Sequence, residues 1–252
     1  MPYAICLRER SLCGTARDGA SSLEDSAPPT PRVLTYHPFV KPGRPRRSLL
    51  ALLGIGAGIA VVAFQGPILR RVGGALVIDD AVHAVEIIVL PQWLGDAGAL
   101  DAADLVKSGI ANRVAVLPEP PKPAELELAR RGVPFPTKTE DALRLLGLLG
   151  VTRVEVVPTL ASSTEAEGLV LVAWCRERQF QRILVLSSPD HSRRVRRVLD
   201  RTFRGQPTQL LVRAARYSAF DPDTWWQTRD GLRIGIVECQ KLLLDFARHP
   251  IS

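Results

Sequence analysis

The residues best suited to chemistry lie in one run, Ser187-Ser188-Pro189-Asp190-His191-Ser192-Arg193-Arg194, directly after the apolar stretch Ile183-Leu184-Val185-Leu186. A short apolar run bounded by a polar turn reads as a buried strand. Serine followed by proline reads as an N-cap with proline at the first helical position. A strand feeding a basic helix in this way gathers His191, Asp190 and unpaired helix N–H groups at one spot. The helix dipole disfavours an imidazolium there, so His191 is expected to be neutral, able to accept a proton or donate a hydrogen bond. The same dipole favours Asp190 as an anion. These two are the candidate acid/base residues. Arg193 and Arg194, nearest the helix start, are candidates to clamp a phosphate or carboxylate. The longer run Arg193, Arg194, Arg196, Arg197 and Arg201 reads more simply as a solvated charged face.

Two other turns carry polar groups. Ala161-Ser162-Ser163-Thr164-Glu165 offers hydroxyls and an acid, although Ser162 with Glu165, or Thr164 with Glu167, also matches a capping box. Pro91-Gln92-Trp93 follows an earlier strand. The candidate ligand-binding set is therefore Ser162, Ser163, Thr164, Glu165, Ser187, Ser188, Arg193 and Arg194, joined by Glu238 and Lys241 near the C-terminus. Glu238 and Lys241 stand three apart, a spacing whose simplest use is an intrahelical pair. Trp225-Trp226 reads as a surface-to-core anchor, with a cover over a ligand as the alternative.

Several chemistries lack their motif. There is no G-x-S-x-G elbow, so no serine is assigned as a nucleophile and a hydrolytic triad is unsupported. Neither G-x-G-x-x-G nor G-x-x-x-x-G-K-[ST] occurs, which argues against ordinary NAD or ATP binding. Cys6, Cys13, Cys175 and Cys239 show no metal-ligand spacing, so no metal site is assigned and the cofactor stays open. A Cys175–Cys239 disulfide is permitted outside the cytoplasm, but simple burial is the commoner fate of such a residue.

The elements that must position these groups alternate regularly. Strands are expected at residues 85–90, 113–117, 154–158, 183–187 and 209–214. Helices are expected at 97–108, 124–131, 139–149, 164–179, 190–202 and 231–248, the first three each stopped by a glycine. Short continuous apolar strands separated by helices imply a mostly parallel sheet covered on both faces. The fold class is α/β, a three-layer α/β/α domain of Rossmann-like type. Ligands of such open sheets sit at the carboxyl ends of strands, where all three polar turns fall.

Charge distribution separates this domain from what precedes it. The chain has 252 residues and a net charge of +7, but residues 72–252 hold 23 Lys/Arg against 22 Asp/Glu. The excess lies in residues 1–71, with ten against four, and flanks one apolar segment. Membrane topology explains this better than nucleic-acid binding. Residues 48–69 carry no charge between Arg46-Arg47 and Arg70-Arg71. As a helix they span about 33 Å, enough for a hydrocarbon core of roughly 30 Å. A buried helix and a cleaved signal peptide are the alternatives. The run exceeds the roughly 7–15 residues of a signal-peptide core, which favours an uncleaved single-pass anchor. More positive charge precedes the segment than follows it. That predicts a cytoplasmic N-terminus and an extracytoplasmic domain at the plasma membrane. Residues 1–47, rich in Ser, Ala and Pro, are expected to be disordered. Met1 is the only methionine, so a mis-assigned start would remove this tail, and no fold argument leans on it.

The chain resembles the bacterial ElyC/SanA/YdcF group of envelope domains across about residues 74–248. The resemblance rests on Ala75-Leu76-Val77-Ile78-Asp79, Ala103-Asp104-Leu105, Gly109-Ile110-Ala111 and Ser163-Thr164-Glu165-Ala166. Its most specific block is Ser187 to Arg194, with Trp226, Glu238 and Lys241 adding to it. It implies a membrane-anchored protein of cell-envelope or peptidoglycan biogenesis, acting on a phosphorylated or carboxylated envelope intermediate. Pro91-Gln92-Trp93 and Pro118-Glu119-Pro120-Pro121 stand where family members commonly have glycine-rich turns. That departure favours a non-catalytic scaffold with a degenerate site. Relatives also suggest a nucleoside cofactor such as S-adenosylmethionine, which the missing glycines weaken. Whether the domain is an enzyme stays open at this point.

Overall fold

Five apolar runs, rich in Val, Ile and Leu, form the strands β1 (Ile87–Pro91), β2 (Val114–Leu117), β3 (Val154–Val156), β4 (Arg182–Ser187) and β5 (Gln209–Ala214). The computed structural model describes residues 45–250, apart from the side chains of residues 45–48, 51, 57 and 59–63. Seven helices are described: α1 (Pro45–Leu76), α2 (Gly95–Lys107), α3 (Pro123–Arg130), α4 (Lys138–Leu148), α5 (Thr164–Arg178), α6 (Pro189–Thr202) and α7 (Arg229–Arg248). Every strand pairing is parallel, in the order β3-β2-β1-β4-β5. The expected α/β fold with a parallel, Rossmann-like sheet is therefore present, and its helical content is 55%. The order reverses between β1 and β4, and a crevice opens beyond strand ends at such a reversal.

The side-chain period of two sorts the core into two halves. Ile87, Val89, Ile183, Val185 and Val212 meet Leu171, Trp174, Val195 and Leu199 of α5 and α6 on one face. Ile88, Leu90, Val114, Val116, Leu184 and Leu186 meet Ala99, Ala102, Ala103, Leu105 and Leu146 of α2 and α4 on the other. Because both faces are covered, the strands read as unbroken apolar runs. Gly109, Gly132 and Gly150 end α2, α3 and α4 with φ of 77°, 68° and 87°, the left-handed exit that glycine adopts without strain.

Helix α6 is not a solvated charged face, contrary to the simplest reading of its arginines. Arg193 donates to the carbonyls of Ala75 and Val77, and Arg196 pairs with Asp80. Ile78 N–H donates to Ser192 Oγ at 2.8 Å. These bonds rivet the segment before β1 to α6. Asp80 in turn exchanges both backbone-type bonds with Val212 of β5, through its own N–H at 2.9 Å and its carboxylate at 2.8 Å. On the other side Arg197 and Arg201 reach Asp245 of α7 at 2.6 and 2.7 Å. Arg197 also lies 3.7 Å over the Phe246 ring.

The C-terminal end of α1 belongs to a third apolar cluster, in which Leu69, Val72 and Leu76 pack with Phe220, Trp225 and Leu242. Trp225 is buried and donates its indole N–H to the Leu69 carbonyl at 2.9 Å. A Cβ at Gly235 would come within 2.4 Å of the Trp225 ring, so only glycine admits this approach. Among the described residues no helix is long and apolar enough to cross a membrane. The expected anchor falls within α1, with the side chains of residues 48, 51, 57 and 59–63 undescribed, and the tail through residue 44 lies outside the described residues.

One buried ion pair crosses the sheet face. Asp101 of α2 accepts from Arg213 of β5 at 3.1 Å, and its second oxygen has no partner among the described residues. Removing one member of a buried pair strands the other, at a cost of about 3–5 kcal/mol. Asp101→Ala is expected to lower urea stability by that order. Glu127→Ala on α3, whose partners Arg130 and Arg131 are exposed, is expected to cost about 0–1 kcal/mol. Equal losses in the two variants would refute the assignment.

Candidate functional site

Because the sheet is parallel, the turns after β1, β3 and β4 meet along one edge, and a cleft with two lobes opens there. The polar lobe, of ≈ 320 Å³, is walled by Glu119, Ser162, Ser163, Thr164, Glu167, His191 and Arg194. The second lobe, of ≈ 560 Å³, is walled by Leu94, Ala97, Ser218, Ala219, Phe220, Arg233, Ile234 and Val237. Trp93, Ser188, Asp190, Glu238 and Lys241 border both.

Glu238 is the centre of the arrangement. Its α7 position is buried, and its two oxygens take three partners. Oε2 meets His191 Nδ1 at 3.2 Å and Arg194 Nε at 3.1 Å, and Oε1 accepts from Lys241 Nζ at 2.6 Å. Burial pushes this carboxyl up, but the bonds and charges of His191, Lys241 and Arg194 outweigh it and hold the group at about 2. The carboxylate is thus ionised throughout the physiological range.

That ionised acceptor assigns the histidine tautomer, since Nδ1 must carry the proton it donates. Burial is the main force lowering the His191 pKa, Arg194 adds to it, and Glu238 opposes it. The shift favours the neutral imidazole that its helix position suggested, with desolvation the largest cause. Its Nε2 makes no hydrogen bond among the described residues and is left as the accepting nitrogen. The Trp93 ring stands edge-on to the imidazole with centroids 5.1 Å apart, fixing its plane.

Trp93 also donates its indole N–H to Glu167 Oε1 at 2.9 Å. Burial raises the Glu167 pKa to about 7; the Trp93 bond and Arg194 work against this, while Glu119 and Glu165 add to it. Asp190 is raised as well, chiefly by burial and further by Glu238, with Ser188, its own backbone and His191 opposing. Glu167, tuned to about 7 near a neutral imidazole, can exchange a proton with a bound molecule near neutral pH. Arg194 is held from both sides, because its Nη1 donates to Thr164 Oγ1 at 3.1 Å. Gln92 reaches Thr139 at 2.6 Å and the Glu119 N–H at 3.2 Å, which secures the remaining wall.

The expected site residues divide cleanly by placement. Ser162, Ser163, Thr164, Ser188, Asp190, His191, Arg194, Glu238 and Lys241 line the cleft. Glu238 and Lys241 form the intrahelical pair that their spacing suggested. Ser187 lies outside the wall, fully buried, with its hydroxyl donating to the Ser188 carbonyl. Arg193 is spent on the Ala75 and Val77 carbonyls, and Glu165 is exposed outside the wall. Neither proposed capping box forms. Ser163 is the N-cap of α5 and accepts from Ala166 N–H, while Glu167 turns inward to Trp93. Ser188 caps α6 with Pro189 at the first position, without a side-chain cap bond.

Glu167, Glu119, Trp93 and Arg233 also line the cleft but are not among the candidate ligand-binding residues, although Trp93 lies in one of the polar turns. Glu167 carried one usable signal, since an indole N–H near a strand end needs an acceptor when buried. Cys175 and Cys239 are free thiols, so they do not form the permitted disulfide; Cys175 is buried and pushed up to about 12. Among the described residues no group of three His, Cys, Asp or Glu side chains is placed to hold a metal ion. Comparisons with protein-family models, curated proteins and solved structures returned no match.

The titrations predict opposing pH effects. Glu167, raised from 4.5 to about 7, contributes stability below pH 4.5 that is lost as pH rises through 7. Glu238, lowered to about 2, contributes stability above pH 4.5 that is lost as pH falls towards 2. Glu167→Gln, which keeps an acceptor for Trp93, is expected to stabilise the protein by on the order of 3 kcal/mol above pH 7 and little below pH 4.5. Glu238→Gln should instead destabilise at neutral pH and converge on the parent near pH 2. Denaturant midpoints across the pH range check both.

Proposed function

We propose that the chain is a membrane-anchored α/β protein of the ElyC/SanA/YdcF-like type, with an extracytoplasmic domain serving cell-envelope or peptidoglycan biogenesis. Its strand-edge cleft binds a phosphorylated or carboxylated envelope intermediate. The envelope role rests on the motifs that carry the resemblance. The ligand class rests on one observation, the polar lobe in which Arg194 is braced between Glu238 and Thr164 beside neutral His191.

In this reading Arg194 contributes its remaining N–H groups to an anionic oxygen, and a guanidinium braced at two points loses little freedom on binding. Lys241 adds a second positive charge at the border of both lobes. Ser162 and Thr164 supply hydroxyls. His191 Nε2 accepts a proton from the ligand, with Glu238 stabilising the imidazolium that results. Asp190 is the second candidate acid/base group. Glu238 therefore acts as the positioning residue behind both His191 and Arg194.

A scaffold without turnover is the second reading, and the turn after β1 favours it. Pro91 ends the strand and a 3-10 turn at Gln92–Leu94 follows, so no glycine loop admits a ligand close to the backbone. The same turn counts against S-adenosylmethionine or another nucleoside cofactor, which that loop ordinarily receives.

Thermal unfolding of the detergent-solubilised full chain distinguishes the readings. The probes are inorganic phosphate, pyrophosphate, a sugar 1-phosphate and S-adenosylmethionine. A ligand at about 100-fold over its Kd stabilises the folded state by about 2.7 kcal/mol. An anionic probe is expected to raise the melting temperature of the parent chain, to raise that of Arg194→Lys less, and to leave Arg194→Ala and His191→Ala unmoved. A parent chain that responds to none of the anions overturns the binding proposal in favour of the scaffold.

A further inference from the structure

Helix α7 has a face that the fold does not use. Gly231, Gly235, Glu238, Leu242 and Asp245 are buried against the domain. On the opposite side Leu232, Ile236, Leu243 and Leu244 are 41%, 45%, 68% and 55% exposed. At 100° per residue these four fall on one outward sector, with Arg229, Arg233, Gln240 and Ala247 between them. Arg229, Arg233, Lys241 and Arg248 are exposed along its length, and Asp230 is its one exposed acid. Arg229 and Arg233 rise within this sector while Lys241 and Arg248 flank it, and such apolar residues with long basic side chains among and beside them suit a helix lying in a membrane interface, the cationic heads reaching the lipid phosphates.

We propose that this outward face of α7 docks on the anionic surface of the bilayer in which α1 is anchored. The proposal rests on the single-pass reading given above, which supplies the bilayer. Two observations point to that occupant. First, the uncharged stretch ends at residue 69, and Leu69 accepts from the Trp225 indole while Val72 and Leu76 pack with Leu242 of α7. A helix about 30 Å long, fastened at the exit of the anchor, stays within reach of the lipid surface. Second, the charges suit anionic lipid and not a second copy. Pairing two such faces would set the exposed arginines near one another with almost no exposed acid to offset them.

Docking in this way sets the cleft at headgroup level, because Arg233, Lys241 and Glu238 belong to both α7 and the cleft wall. The test uses the full chain with Cys6, Cys13 and Cys239 changed to Ser and Cys175 to Ala. It is reconstituted in vesicles of mixed phosphatidylcholine and phosphatidylglycerol. An environment-sensitive fluorophore is placed on a single cysteine introduced at Ile55, Ile236, Leu243 or Leu126, and acyl-chain-brominated lipids serve as quencher. Ile55 reports the anchor, and Leu126, exposed on α3, is the control. Quenching at Ile236 and Leu243 is expected to exceed that at Leu126 several-fold, and to fall towards it in Arg229→Glu/Arg233→Glu. Quenching at Ile55 without excess at Ile236 and Leu243 overturns the docking and leaves the anchor standing. No quenching at Ile55 overturns the anchor itself. Lipid-independent energy transfer between α7 labels on different molecules overturns the docking in favour of self-association.

Discussion

The buried carboxylate of Glu238 is the interaction on which the rest of the site depends. An ionised acid out of water is tolerated only with partners on most of its lone pairs. His191, Arg194 and Lys241 supply them, from the start of α6 and from α7 itself. Each of those side chains is oriented in the same act. The imidazole receives a defined tautomer, the guanidinium a fixed plane, and the ammonium a place at the junction of the lobes. Stability and chemistry are therefore coupled here, because a change that frees Glu238 from one partner also disorders the others.

Much of the fold was legible because it is written locally. The strand runs at residues 183–187 and 209–214 are apolar, short and bounded by turn residues, and the structure places β4 and β5 there within one residue. Gly109, Gly132 and Gly150 announced three helix ends. What pattern could not reach was pairing at a distance. Arg196 with Asp200 is an i,i+4 pair visible in sequence. Arg194 meets Glu238 across 44 residues, Arg197 meets Asp245 across 48, and Arg196 meets Asp80 across 116. Such partners are chosen by the way α6 packs between its neighbours, so a row of arginines looks solvated until the fold is known. The same limit hid Glu167, whose spacing from Thr164 fits a cap while its acceptor role is set by Trp93, 74 residues away.

The turn after β1 shows how a departure from a glycine loop can be absorbed. With Pro91 and Trp93 in place, the backbone stands off from the crevice and an indole fills part of it. That ring bonds Glu167 through its N–H and presents its edge to His191. The turn thus contributes a side-chain wall where a glycine loop contributes bare peptide.

The acids of α7 have one further implication. Glu238 and Asp245 stand seven residues apart, two helical turns, and face His191 with Arg194 and Arg197 with Arg201 in the same order along α6. The two helices are therefore indexed against each other like teeth in a rack. A slide by one turn would still leave an arginine opposite each carboxylate, but it would part His191 from Glu238, so only one register keeps the imidazole oriented. The oriented imidazole therefore exists in one register alone, and a rearrangement of the cleft that keeps it comes from the loops that bound the cleft or from displacement of the helix pair as a unit.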